Sequence, residues 1–317
     1  MKRTAQPNLS PEGQLALDRY RDYLHHEQDL SADTRRNYLS DLRQFAAWCE
    51  ASWTEGQEAA HPFEPAAVAT SLITQYRAYL QTVCKLQPAT INRHLVSLKR
   101  YFACAAESGV IQRDPAKVVK LVPLVRQPPR HLTDQEENAL VAAVTAYGTL
   151  RDRALLILML HTGLRAEEVC TLQRSNVTLG KRSGQLAIYG KRNKYREVPL
   201  NGTARAVLHE YLPTLPAYGE WLFVSNKQEK VTNGSRQSAP LTERGLGYLV
   251  AKYARLAKVD DLSPHDLRHR FGYRMAQTVP LHRLAQIMGH DSLDTTTIYV
   301  QGTKQDLQQA VEAIAWQ

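Results

Sequence analysis

Six side chains in the C-terminal half of this 317-residue chain are of the types that phosphodiester cleavage uses. They are Arg165 in TGLRAEEV, Lys191 in YGKRNK, His265 and Arg268 in SPHDLRHR, His290 in MGHDS and Tyr299 in TTTIYV. Cutting a DNA strand without a metal needs several fixed cations, because charge grows on the phosphoryl oxygens in the transition state. It also needs a nucleophile and a proton donor for the leaving oxygen. Each residue alone has an ordinary explanation. An arginine after a T-G turn is commonly a surface residue at a helix start, and glycine with lysine is routine in a hairpin turn. H-x-x-R puts two side chains on one helix face but also arises by chance. Gly-His is common in loops, and Tyr299 is one of fifteen tyrosines. The information lies in the order: T-G-L-R-x-x-E, a G-K turn, H-x-L-R-H, G-H, and a tyrosine nine residues later.

The elements that must carry these residues follow from local signals. Thr133 and Glu136 form a capping box that starts a helix. Arg151–His161 reads as a buried helix ending at Thr162-Gly163, and Glu167–Leu172 as a short one. Gln185–Tyr189 and Arg196–Leu200 flank the polar GKRNKY turn and read as a β-hairpin. Helices are expected at Thr242–Ala257, His265–Thr278, Leu281–Met288 and Ser292–Tyr299. A final amphipathic helix is expected at Lys304–Trp316, with Leu307, Val311 and Ile314 aligned.

The N-terminal half reads as four amphipathic helices. The first starts at Ser10-Pro11 with Leu17, Tyr20 and Leu24 on one face. Ser31 caps the second, which carries Tyr38, Leu42, Phe45 and Cys49. A loop, Ser52–Pro65, separates these from a third helix with Val68, Leu72, Tyr76 and Leu80. Pro88 opens the fourth, with Ile91, Leu95, Leu98 and Phe102 as its core face. Arg36 and Arg43 share a polar face of the second helix, and Arg93, Ser97 and Arg100 one of the fourth. Such spacing can track a phosphate backbone, and it is equally the pattern of a solvated face. The segment VPLVRQPPR, from Val122, reads as an extended linker. The expected organisation is a helical domain over 1–121, a linker over 122–131 and a mixed domain over 132–317.

Composition narrows the function classes. The net charge is +9 and the pI about 9.4. Both halves are basic, which fits two domains sharing one anionic partner, with nucleic acid the commonest. A basic surface with no partner is the competing explanation. Hydrophobic residues at 43% and charged residues at 22% exclude wholesale disorder. No run approaches a membrane span, and Met1–Ser10 lacks an apolar signal core. Cys49, Cys84, Cys104 and Cys170 form no C-x-x-C pair, and three of them lie among apolar helical positions, so reduced core thiols in a cytosolic protein are expected and a structural zinc site is not. Walker A, G-x-G-x-x-G, H-E-x-x-H and EF-hand patterns are absent.

Taken together, the chain resembles the tyrosine recombinases, or phage integrase family, and within it Xer-type and transposon-borne members. DLSADTRRNYLSDLRQFAAWC and PATINRHLVSLKRYF are similar to the family's core-binding helices. HTGLRAEEVCTL, GKRNKYREVPL, SPHDLRHRFG and IMGHDSLDTTTIYV are similar to its catalytic boxes, in the family's order. The resemblance implies a mainly α protein with a small β-sheet: a four-helix, SAM-like core-binding domain followed by a mixed catalytic domain. It implies that Arg165 and Arg268 clamp the non-bridging phosphate oxygens, which suits the planar fork of arginine. Lys191 then protonates the leaving 5′ oxygen. His265 does acid–base and phosphate-binding work, and His290 hydrogen-bonds the phosphate. Tyr299 is the nucleophile, and Glu168 helps set the first arginine.

The activity implied is site-specific DNA recombination through a 3′-phosphotyrosyl intermediate and a Holliday junction, with no metal and no nucleotide. The implied partners are double-stranded DNA with paired recombination sites and three further copies of the chain in a homotetramer, acting in the cytoplasm at the nucleoid. Arg270 stands where Xer-type proteins usually carry a small residue. Ser52–Pro65 and Lys227–Pro240 read as longer than in housekeeping members. These departures point toward a mobile element. Two rivals remain: type IB topoisomerase-like cleavage and religation, and a DNA-binding architectural protein without catalysis.

Overall fold

The computed structural model describes residues 7–26, 30–54, 61–124, 130, 132–190, 195–216, 220–225, 229–230, 236–237, 239–300 and 311–312. The chain divides into two compact units, residues 1–126 and 127–317.

The first unit is helical: α1 (Pro11–His26), α2 (Ala32–Thr54), α3 (Thr70–Thr82) and α4 (Pro88–Glu107). Its core is aromatic. Phe45 packs edge-on against Tyr76 at 5.0 Å, Phe63 at 6.0 Å and Phe102 at 6.1 Å between ring centroids. Aromatic edges and faces attract beyond their burial. The expected faces of α1 and α4 are the buried ones. Two expectations need correction. Ser52, Trp53 and Thr54 belong to α2, where the Thr54 hydroxyl donates to the Glu50 carbonyl at 2.7 Å. Trp53 stacks on Phe63, so an apolar contact extends the helix past the polar composition that suggested a loop. In α3 the buried face is Ile73, Tyr76 and Leu80, while Val68 lies ahead of the helix and Leu72 is only half-buried. Residues 55–60 of the expected loop lie outside the described residues.

Val122 is held by α4. Asn92 donates to its carbonyl and accepts from its amide, each at 2.8 Å. The start of the expected linker is therefore part of the first unit.

The second unit is built around α6 (Leu150–Thr162), whose residues Ala154–Leu160 are all buried. α5 (Asp134–Tyr147), with its Thr133–Glu136 capping box, packs against it. So do α8 (Gly202–Tyr211) and α10 (Pro264–Ala276). α7 (Ala166–Cys170), α9 (Glu243–Leu256) and α11 (Leu281–Met288) complete the helices that concern the site. A three-stranded antiparallel sheet, β1 (Val177–Leu179), β2 (Gly184–Tyr189) and β3 (Tyr195–Pro199), contains the expected hairpin, with Tyr189 opposite Tyr195 at its tip. Leu186, Ile188 and Val198 face the core.

Ser292–Tyr299 is not an α-helix. It forms two 3-10 turns, Leu293–Thr295 and Thr297–Tyr299. The run Thr295–Thr296–Thr297–Ile298 is β-branched and disfavours α-helix, and the Thr296 side chain is engaged elsewhere. The expected helix Lys304–Trp316 lies outside the described residues except for Val311 and Glu312, which are helical and exposed. Among the described residues, no helix is long and apolar enough to cross a membrane.

Candidate active site

Two backward turns converge the site. α6 ends at Gly163 and α11 at Gly289, both left-handed, with φ of 61° and 66°. Glycine takes this conformation without a Cβ penalty. A Cβ at Gly163 would also lie 2.3 Å from the Phe271 ring, and one at Gly289 would lie 2.7 Å from Arg196 Nη1.

The carbonyls exposed by these ends hold the arginines. Buried Arg268, on α10, donates to the Gly163 carbonyl at 2.5 Å and the Met288 carbonyl at 2.9 Å. Arg165, at the N-cap of α7, donates to the next carbonyl, Gly289, at 2.6 Å. Consecutive carbonyls at the end of α11 therefore hold the two guanidiniums side by side.

Glu168 is the shared countercharge. Arg165 donates to its Oε1 at 3.0 Å through Nη1 and to its Oε2 at 2.8 Å through the backbone amide. Arg196, on β3, makes a bidentate pair with it at 2.7 and 2.9 Å and also donates to the Ile287 carbonyl. Burial pushes the Glu168 carboxyl up, but hydrogen bonds and charge from Arg196, then Arg165, hold it below the ordinary range. Arg196 was not foreseen. Only its place at the hairpin's far side, five residues from Lys191, could have pointed to it.

Positive charge remains in excess. Burial first, then Arg165, brings Arg268 down to about 10. Burial, Arg268 and Arg165 bring His290 down to about 4. His265 is exposed and lowered for the same reasons. Such a site favours an anion. A cavity of about 570 Å³ opens beside it, lined by Arg165, Arg196, His290, Tyr189 and Tyr195. Lys191, expected in the hairpin turn, lies outside the described residues.

Tyr299 sits in this site, buried against α10. Its ring covers Gly272, where a Cβ would approach Cζ to 2.5 Å. Tyr273 meets it edge-on at 5.3 Å, and the His290 ring lies nearly parallel at 6.2 Å. His290 Nδ1 is 2.7 Å from the buried Thr296 hydroxyl, which fixes the ring and ties the turn before Tyr299 to α11. The Tyr299 hydroxyl lies 3.0 Å from Nδ1 of buried His269. In the sequence, His269 stands only as the final histidine of H-x-L-R-H. Burial pushes the Tyr299 phenol up to about 12, against the opposing pull of Arg268. The arrangement can bind an anion with two forked cations and present a protonated phenol beside them.

Arg270, the departure noted in the sequence, has a structural account. It is buried and paired with Asp134 and Glu137 of α5, and Arg274 donates to Glu137 at 2.8 Å. These contacts fasten α10 to α5.

The candidate phosphate-contacting residues of the helical unit separate. Ser97 is fully buried and donates to Asp41 at 2.7 Å, so its place on an exposed basic face is corrected. Arg93 Nη1 lies 2.6 and 2.7 Å from the two oxygens of the same buried carboxylate, although 41% of its side chain stays exposed. The buried acid on α2, 52 residues before Arg93, turned part of this face inward. Arg36 pairs with Asp33, Arg43 donates to Gln14 at 2.7 Å, and Arg100 is exposed. Arg36 and Arg43 line a cleft of about 390 Å³ between α1 and α2, together with Arg21 and Arg35.

A helical unit joined to a mixed unit, with paired arginines and a buried tyrosine in one site, is the architecture of a DNA strand-transfer protein of the tyrosine class. The chain belongs to the phage integrase family. The model of that family matches residues 130–306, and that of the phage integrase N-terminal SAM-like domain matches residues 16–108. The tyrosine recombinase XerD of Xanthomonas campestris pv. campestris is 32% identical, with 95% of this chain and 92% of that protein covered. Among solved structures, the XerH site-specific recombinase bound to palindromic difH aligns with a TM-score of 0.70. It is 19% identical, with 98% and 99% of the two chains covered. The Tn1549 transposon integrase in complex with a circular intermediate DNA aligns at 0.68, with 17% identity and 95% and 99% covered. At these identities the two structures speak to fold.

Proposed function

We propose that this chain is a site-specific DNA recombinase that cuts and rejoins DNA through a phosphotyrosyl intermediate at Tyr299. The observation that carries the reading is the anchoring of Arg165 and Arg268 to consecutive carbonyls, Gly289 and Met288, at the site where the Tyr299 phenol is buried. Two guanidiniums held side by side, with only Arg165 paired to Glu168, favour a further anion between them. A phosphodiester has two non-bridging oxygens that match their forks.

On this reading the arginines take the charge that develops on the phosphoryl oxygens. Glu168 and Arg196 fix the direction of Arg165. His265 and His290 contribute further hydrogen bonds, with His290 neutral at physiological pH because its pKa is held near 4. Lys191 protonates the leaving 5′ oxygen. The tyrosyl ester conserves the bond energy, so a 5′ hydroxyl of a second duplex can attack it without ATP. Four protomers exchange strands in pairs through a Holliday junction. The helical unit grips the same DNA through the cleft lined by Arg36 and Arg43, with Arg93 and Arg100 on α4. The setting is the cytoplasm, on behalf of a mobile element, which the longer polar segments of the sequence favour.

A nicked suicide duplex tests this. The wild-type chain forms a covalent adduct and then recombinants, and Tyr299→Phe forms neither while binding DNA as before. An adduct without partner exchange would favour a topoisomerase, and no adduct would favour an architectural role.

A further inference from the structure

We propose that His269 takes the phenol proton from Tyr299 during cleavage and returns it during rejoining; this rests on Tyr299 being the nucleophile. The geometry is direct. His269 Nδ1 is 3.0 Å from the Tyr299 hydroxyl, within the reach required of a general base. The two rings are 5.6 Å apart, and both are buried.

The neighbouring groups are otherwise engaged. His290 lies parallel to the tyrosine ring, but its Nδ1 is 2.7 Å from Thr296 Oγ1. Tyr273 presents its ring edge-on. His265 lies beyond His269, ring against ring at 4.3 Å and 76°, and is exposed. His269 thus stands between His265 and the tyrosine. It also follows Arg268 directly, so α10 delivers a phosphate-clamping arginine and a proton acceptor from adjacent positions.

The phenol needs an acceptor. Burial holds it near 12, so at pH 7 only about one molecule in 10⁵ is ionised. In cleavage the Oη–H bond breaks as the Oη–P bond forms. The proton passes to His269 Nδ1, with Nε2 already carrying hydrogen, and the ring becomes an imidazolium. The P–O5′ bond breaks, and the leaving oxygen takes its proton from Lys191. In rejoining, the incoming 5′ hydroxyl returns a proton to Lys191 and attacks phosphorus. The Oη–P bond breaks, and Oη recovers its proton from His269. Each step balances, and the imidazolium formed in the first half is the acid needed in the second.

The test uses the full chain and a nicked suicide duplex. Glutamine at 269 can accept a hydrogen bond from the phenol but cannot hold its proton at neutral pH. His269→Gln is expected to form adduct about 100-fold more slowly, the lower range for a lost general base, with DNA binding unchanged. Replacing Tyr299 by a difluorotyrosine, whose phenol is markedly more acidic than tyrosine's in the same setting, is expected to recover at least about tenfold of that rate. Adduct formation by His269→Gln at the wild-type rate would overturn the proposal. So would a loss that the fluorinated nucleophile does not relieve, since a histidine that merely packs the ring would give that result. His269→Ala supplies a second variant: added imidazole should restore adduct formation, and failure to restore it counts against the proposal. If Tyr299→Phe still forms adduct, the nucleophile assignment fails. If it does not, and His269→Gln is fully active, the His269 proposal alone fails.

Discussion

Gly272→Ala should silence the enzyme while leaving it folded. The new Cβ would lie 2.5, 2.6 and 2.8 Å from Cζ, Cε1 and Cε2 of Tyr299. Carbon atoms in contact sit at about 3.5–4.0 Å, so the ring must retreat by roughly 1 Å. Tyr273 on one side and His290 on the other limit where it can go. The hydroxyl then leaves its place beside His269 and the arginines, and a 1 Å misplacement of a reacting group can cost about 10²-fold. Stability changes little by comparison. Replacing a mid-helix glycine by alanine gains about 0.5–1 kcal/mol, and the overpacked ring costs about 1–3 kcal/mol, so the net loss should stay below about 2.5 kcal/mol. Gly247 is the internal control. It is also mid-helix, on α9, but a Cβ there meets nothing within 4 Å. Gly247→Ala should raise the melting temperature and leave cleavage unchanged. Suicide-substrate kinetics and thermal melts on both variants decide the matter. Cleavage by Gly272→Ala within threefold of wild type would show that Tyr299 does not react from its seat on Gly272.

Arg268→Ala should reduce suicide-substrate cleavage by about 10²-fold or more, the scale of one lost donor to a developing oxyanion; a wild-type rate would remove it from the clamp. His290 makes the fold acid-sensitive in a defined window. Its folded pKa is held near 4 against 6.5 unfolded, so the unfolded chain binds the extra proton as pH falls from about 6.5 to 4, and stability falls with it. Urea midpoints measured across that range should drop more steeply for wild type than for His290→Asn, and parallel curves would refute the assignment.

The sequence was most legible where a local signal dictates a local structure. The Thr133–Glu136 capping box, the hairpin flanking GKRNKY and the faces of α1 and α4 need only neighbours a few residues away. α8 was missed although Asn201 caps it, accepting from Ala204 N at 2.9 Å, and Val207, Leu208 and Tyr211 are buried along it. Its apolar stripe is short and follows a strand directly, so the hairpin pattern masked it. β1 has three residues and exists because β2 is there to pair with it. Ser292–Tyr299 shows helical spacing, yet its threonines and the hold of His290 on Thr296 leave it in 3-10 turns.

The site divides along the same line. The ordered boxes stand out in the sequence because phosphodiester chemistry needs those residue types in combination. The residues that support them were not, because their partners are distant in sequence. Arg196 meets Glu168 across 28 residues and Arg165 meets Gly289 across 124, while Ser97 turns inward to an aspartate 56 residues away. Gly272 is the instructive case. A lone glycine in a helical run costs stability, which flags a reason but cannot name it. The reason is the Tyr299 ring, 27 residues on, which occupies the space of the missing Cβ. The position of Tyr299 is thus encoded on α10, not in the turn that carries it, and α10 also supplies Arg268 and His269. Arg270, beside His269, locks that helix to α5 through Glu137 and Asp134. One helix therefore carries Arg268, the seat of Tyr299 and His269 together, so a shift of α10 would disturb all three at once.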